Sequence, residues 1–219
     1  NIALNPGNNV AKLYALQGAK GMFQPSLSGA PSDWTLSIEY TGGGLNAPQL
    51  PAIDALGNIW VPNAVDPGTL SQFSPTGEPL SGAKGFSGGG LSYPEAVAVD
   101  TAGNVWSDNE GNASVSKHPS SGTPLSGVAG YTATGLTQPV ALALDASGNV
   151  FTANVNNSLT KFNASGVPVA RFTGGGLDVP YAVAIDPSQN VWAANYGRSN
   201  SLSKFNNSGT SPTVTGYMG

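Results

Sequence analysis

The sequence predicts an all-β chain built from propeller blades, and three observations predict it. One segment is written four times: Pro-x-x-x-Ala-(Val/Ile/Leu)-Asp-x-x-Gly-Asn-(Val/Ile)-(Trp/Phe)-x-x-Asn, at Pro48–Asn63, Pro94–Asn109, Pro139–Asn154 and Pro180–Asn195. Its aspartates, Asp54, Asp100, Asp145 and Asp186, stand 46, 45 and 41 residues apart. Strand-rich repeats of that length are read as blades. Aromatic slots keep register between copies: Trp60, Trp106, Phe151 and Trp192; Phe73, His118, Phe162 and Phe205; Tyr40, Phe86, Tyr131 and Phe172. Each twisted sheet must bury a face on its neighbour, and aromatic layers supply that. Finally, the 30 glycines and 17 prolines recur at fixed places, as turn chemistry does.

Each repeat divides into four strands. In the second, Ala96–Val99 is small and apolar on both faces, which suits an innermost strand buried on both sides. Asp100-Thr101-Ala102-Gly103-Asn104 turns the chain, because Asp accepts from backbone N–H groups ahead of it and Gly tolerates positive φ. Val105–Asp108 and Ser114–His118 are the second and third strands. Ser120-Ser121-Gly122 turns again, and the outer strand runs up to Tyr131. Gly88-Gly89-Gly90-Leu91 links into this repeat, and Ala133-Thr134-Gly135-Leu136 links out of it. The repeats cover about 45–90, 91–135, 136–176 and 177–216.

Residues 1–33 stand outside the repeat. Val10, Leu13 and Tyr14 have helical spacing, an Asn can cap the start and Gly18 can stop the turn, so a short helix is expected there. Phe23–Pro31 reads as a connector. From residue 34 to 219 the pattern is propeller. Trp34–Tyr40 matches an outer strand with no inner strands before it, and Tyr217-Met218-Gly219 falls where a fifth link would begin. The expectation is therefore an open arc of a larger ring.

Composition excludes several classes. Eight Lys+Arg against twelve Asp+Glu, net charge −4, leave little basic surface, so nucleic acid is not an expected partner. No cysteine means no disulfide and no thiolate metal site. The apolar runs are too short for a transmembrane segment. A surface of Asn, Ser, Thr and Gly points to an exported bacterial protein, extracellular or at the cell surface.

The repeated Pro-x-x-Val-Ala-Val-Asp-x-x-Gly-Asn-Val-Trp, followed by Ser201-Leu202-Ser203-Lys204-Phe205-Asn206-Asn207-Ser208-Gly209, resembles the NHL repeat over about residues 34–219. The resemblance implies a propeller of commonly six four-stranded blades, similar to streptogramin lyase, the gluconolactonase group, peptidyl-amidoglycolate lyase and RNA- or protein-binding NHL modules. Such a fold does not choose a function. The lyase relatives rely on more than one histidine. This chain has only His118, in a column of phenylalanines, where packing is its expected role. The lactonase relatives hold a divalent metal with carboxylates and an Asn near the axis. Glu95 could face that channel, but its equivalents are Gln49, Val140 and Tyr181.

The Asp-x-x-Gly-Asn turns lack the further acidic positions of a calcium loop. The triple-glycine runs precede no helix and no Lys-Ser/Thr, so they read as flexible links rather than phosphate loops. Lys117, Lys161 and Lys204 fall on the polar side of a third strand, solvated. The column Asn63, Asn109, Asn154 and Asn195 ends the second strand, where amides can bond backbone or form a polar ring. The loops after it differ most: Ala64–Pro67, Glu110–Asn112, Val155–Asn157 and Tyr196–Arg198. The leading reading is a non-catalytic scaffold binding a protein or polysaccharide partner by one rim. Its candidate residues are Gln49, Glu95, Tyr181, the four asparagines, Glu110 and Arg198, with no catalytic residue, metal or cofactor. The alternative is a lyase- or lactonase-type enzyme whose catalytic groups lie outside this segment.

Overall fold

The computed structural model describes residues 40–213 and 215–218. The chain divides into two compact units, residues 1–40 and 41–219. The expected N-terminal helix, the connector and Trp34–Glu39 lie outside the described residues.

The second unit is all-β, as four antiparallel blades in sequence order. Blade one holds β1 (Ala52–Ile53), β2 (Ile59–Asn63), β3 (Thr69–Phe73) and β4 (Phe86–Ser87). Blade two holds β5 (Pro94–Val99), β6 (Val105–Asn109) and β7 (Ser114–His118), with its outer strand reduced to a bridge between Val115 and Tyr131. Blade three holds β8 (Pro139–Leu144), β9 (Val150–Asn154), β10 (Ser158–Phe162) and β11 (Pro168–Thr173). Blade four holds β12 (Pro180–Ile185), β13 (Val191–Asn195), β14 (Ser201–Phe205) and β15 (Tyr217–Met218). Among the described residues, only blade three has a long outer strand. Its Pro-Val-Ala-Arg-Phe-Thr stretch carries no glycine, whereas Ser-Gly stretches interrupt the approach in blades one and two.

β15 corrects one expectation. Tyr217 and Met218 pair with Leu202 and Ser201 as the outer strand of blade four, not as a fifth link. Tyr217 stands 5.7 Å from Trp192 between ring centroids, as Phe86 stands 5.6 Å from Trp60 and Tyr131 5.7 Å from Trp106.

The turn chemistry is tighter than a backbone count implies. Asp100 Oδ1 accepts from the Ala102 and Asn104 backbone N–H groups, and Oδ2 accepts from Asn104 Nδ2 at 2.9 Å and Trp106 Nε1 at 3.1 Å. Asp54 and Asp186 are held by their own Asn and Trp in the same way. Burial pushes the Asp100 carboxyl up, but these donors and Lys117 outweigh it and hold it below the usual range. The carboxylates are thus turn anchors. Gln189 fills the glycine slot of the fourth turn and takes the same left-handed conformation, φ 64°.

The glycine links are not loose tethers. A Cβ on Gly90, at φ 86°, would lie 2.2 Å from the Gly130 backbone nitrogen. Gly44 meets Gly85 and Gly176 meets Gly216 in the same way, so each link is pinned against the start of its own blade's outer strand.

Blades pack in sequence. The front face of one carries the indole or phenyl of its second strand and the Leu or Val of its third. The back face of the next carries its link leucine and its second-strand Val or Ile. Trp60 and Leu70 thus meet Leu91, Val97 and Val105; Trp106 and Val115 meet Leu136, Leu142 and Val150; Phe151 and Leu159 meet Leu177 and Val191. His118 is buried in the aromatic column, and neither ring nitrogen has a hydrogen-bond partner. Burial pushes its pKa down to about 4. Trp60 and Trp106 are fully buried, but Trp192 is only half-buried, because blade four has no described blade in front of it.

The lysines also depart from expectation. Lys117 lies over the Trp106 ring at 4.4 Å and donates to the Ala164 carbonyl of the next blade at 2.8 Å. Lys161 lies over Phe151 and donates to the Asn207 carbonyl at 3.1 Å. They are latches between blades, their stems laid on aromatic faces rather than left in solvent.

Candidate functional site

The first strand's start pairs with the second strand's end: Pro94 with Asn109, Pro139 with Asn154, Pro180 with Asn195. The candidate residues therefore share one rim. After each of these prolines the register slips by a bulge, which turns Glu95, Val140 and Tyr181 out of the ladder. The residue before each proline, Ala47, Tyr93, Gln138 or Val179, has φ between 41° and 50°. Its carbonyl accepts from the loop after the second strand, as Tyr93 O does from Glu110 N and Val179 O from Tyr196 N. Loop and strand start are thus fixed together. The rim is also stitched across blades, since Tyr93 N donates to Val65 O and Val179 N to Asn157 Oδ1.

All four column asparagines are buried. Asn109 Nδ2 donates to Ser114 Oγ at 3.0 Å and Ser116 Oγ at 2.8 Å, and its Oδ1 accepts from Ser92 N. Asn63, Asn154 and Asn195 repeat the donation to the two hydroxyls of their third strands. In this conformation the amides hold the wall beneath the rim.

The groups that face outward differ blade by blade. Tyr181 and Tyr196 are 55% and 76% exposed, with ring centroids 5.5 Å apart. Arg198 follows Tyr196 on its loop and is exposed; Gln49 is exposed on blade one. On blade two, burial and then the charge of Glu110 raise the pKa of Glu95. Glu110 accepts from Gln138 Nε2 at 3.1 Å, tying blade two's loop to blade three. The structure thus brings together Tyr181 with Tyr196, and Glu95 with Glu110.

Asp108 belongs with this rim, although it was not among the candidates. It is fully buried under the Glu95 bulge. Oδ1 accepts from Ala96 N at 2.7 Å and Oδ2 has no partner. Burial, and less so the Glu95 charge, push it up to about 8, so the acid is largely neutral at pH 7. Its signal was in the sequence: the same position holds Pro62, Ala153 and Ala194 in the other copies. Among the described residues, no cluster of three or more His, Asp or Glu side chains could hold a metal, and no helix is long and apolar enough to cross a membrane.

Comparison with solved structures places this geometry. A streptogramin B lyase superposes with a TM-score of 0.61 at 15% identity, over 80% of this chain and 55% of that one. In fold, the chain is a streptogramin-lyase-like propeller. A catalytically inactive H270A virginiamycin B lyase from Staphylococcus aureus with quinupristin gives 0.63 at 14% identity, over 81% and 60%. A chain of a nidogen/laminin complex gives 0.57 at 18% identity, over 74% and 61%. The chain spans a little over half the length of these neighbours. No protein-family model and no curated protein matches the sequence.

Proposed function

We propose that this NHL-type propeller is a non-catalytic scaffold, exported and extracellular, that binds a protein or glycan partner through the rim after its second strands. One observation carries the reading: side chains exposed on a rim whose backbone repeats, above all the Tyr181–Tyr196 pair at 5.5 Å. Two exposed phenols side by side give an apolar platform with hydroxyls at its edge, suited to a sugar face or a partner side chain. The nidogen/laminin likeness is consistent with a propeller acting inside a protein complex. With eight basic residues in the chain, nucleic acid is not a proposed partner.

The test is binding of the purified chain to a glycan array and to extracellular-matrix proteins, beside a Tyr181→Ala/Tyr196→Ala variant. A partner retained by the wild type and lost at least tenfold by the variant supports the reading. Binding unaffected by the variant rejects this rim. A second reading, a lyase- or lactonase-type enzyme completed by residues outside this segment, draws on the fold likeness and on Asp108, a buried acid with a strongly perturbed pKa beside the rim. Turnover of a streptogramin B or a lactone by the full reading frame, lost in Asp108→Asn, would favour it.

A further inference from the structure

The junction between blades three and four carries a chemistry that the junction before it lacks. Two residues past the third-strand aromatic or its equivalent, the chain reads Pro75, Ser120, Ala164 and Asn207. Lys117 of blade two meets Ala164 there, and Lys161 of blade three meets Asn207. Only the second pair sets an amine against a side-chain carboxamide.

Lys161 Nζ donates to the Asn207 backbone carbonyl at 3.1 Å and also to the side-chain Oδ1. The same carboxamide donates from Nδ2 to Asp145 Oδ2 at 3.0 Å. Amine, amide and carboxylate thus stand in a row, with Asn207 in the middle. Lys161 pairs across the sheet with Phe151 on one side and Ala170 on the other, and its Nζ lies 5.2 Å from the Phe151 ring centroid. Lys161 and Asn207 are half-buried, and Asp145 is buried. The amine is therefore held against its neighbour rather than sweeping through solvent. Burial raises the Asp145 carboxyl, but Asn149 and Asn207 outweigh it and keep it ionised, as a base must be. At the other three turns an indole N–H occupies the matching Oδ2; Phe151 leaves Asp145 free to hold Asn207.

We propose that Lys161 and Asn207 condense into an isopeptide bond that staples blade three to blade four. The reacting form of Lys161 is the neutral amine, one proton having gone to solvent. Nζ attacks Cγ of Asn207 and forms the new C–N bond. Asp145 takes a proton from Nζ as that bond forms and passes it to Nδ2. The Cγ–Nδ2 bond breaks and ammonia leaves, so no oxidant, reductant or further reactant is needed. The staple links positions 46 residues apart, and a covalent link of this kind acts chiefly by restricting the unfolded chain. Ala164 has no carboxamide, so Lys117 stays free. The inference is independent of what the rim binds.

The intact mass of the purified chain under denaturing conditions tests this. The expected result is a species lighter than its sequence by one ammonia, with a proteolytic fragment in which the Lys161 peptide is branched onto the Asn207 peptide. Lys161→Arg and Asn207→Ala should each keep the full mass of their sequences. Phe151→Trp restores the ring that the other three blades carry at this slot. It should lower the stapled fraction several-fold, because the indole then competes for Asp145 Oδ2. A wild-type chain that keeps its full mass after prolonged incubation overturns the proposal. So does ammonia loss that persists in Lys161→Arg, which would be a succinimide at Asn207 alone. A stapled fraction untouched by Phe151→Trp overturns the part given to Asp145.

Discussion

Asn207 donates from its amide to Asp145 Oδ2 at 3.0 Å, across the boundary between blades four and three. The other three turn aspartates take that hydrogen bond from their own tryptophan: Trp60, Trp106 or Trp192. Blade three has Phe151 in the tryptophan slot, which has no N–H to give. A donor lost within one blade is thus supplied by the next, and Asp145 is held below the usual carboxylate range: burial raises it, but Asn149 and Asn207 outweigh that.

The substitution can be tested as a cycle. Asn207→Ala should destabilise the chain by about 1.5–3 kcal/mol, the range for a hydrogen bond to a charged group. In a Phe151→Trp background the indole supplies the donor, so the same change should cost less. Urea midpoints of the four proteins check it. Equal costs in both backgrounds would mean that Asn207 matters only through Lys161.

His118 should make acid destabilising. Its pKa is about 4 in the fold and 6.5 when unfolded, so between those values the unfolded chain binds more protons. Stability attributable to this residue is intact above pH 6.5 and falls as pH drops to 4, by about 3 kcal/mol. His118→Phe should remove that dependence. At pH 7 it should leave stability within about 1 kcal/mol or raise it, since Phe73, Phe162 and Phe205 fill the slot elsewhere.

Asp108 should act with the opposite sign. Its pKa is about 8 in the fold and 3.8 when unfolded, so between those values the folded chain binds more protons and stability falls as pH rises. From these two residues alone, the slopes cancel between about pH 4 and 6.5. Only the Asp108 slope, about 1.4 kcal/mol per pH unit, acts from there to pH 8. Asp108→Asn should flatten that upper limb and unmask the His118 rise below it. Denaturation from pH 4 to 8 for both variants reads the two slopes separately.

The tryptophans should not be equivalent. Trp106→Ala should cost about 3–5 kcal/mol as a fully buried indole. Trp192→Ala in the monomeric chain should cost distinctly less, because half-burial withdraws less surface from water. Equal losses in dilute solution would show that something covers the front of blade four.

The strands and turns were legible because they are local. Alternation, the Asp-Gly-Asn turns and the aromatic slots each announce themselves within one repeat, and four copies confirm the phase. Relations between repeats were harder to read. Lys117 and Lys161 looked solvated because nothing nearby in sequence says that Ala164 and Asn207, 47 and 46 residues away, will sit above them. The Tyr217 strand is hidden for the same reason: Phe86, Tyr131, Phe172 and Tyr217 form one column only through the second-strand ring that each meets in its own blade. At the rim, Glu95 and Tyr181 were visible as departures from the repeat; Asp108 was the same kind of departure but sat in a strand interior. The Tyr181–Tyr196 pairing needed the bulge, which no single residue encodes.

That bulge separates two vocabularies in blades two, three and four. Residues in the ladder must satisfy a neighbour on each side, so their choices are narrow. The residue just after the proline is released from that grammar, and it reads Glu95, Val140, Tyr181: acid, aliphatic, phenol. Val140 turns inward and is buried, while Tyr181 stands in the open, so one backbone device writes a wall in one blade and a rim in another.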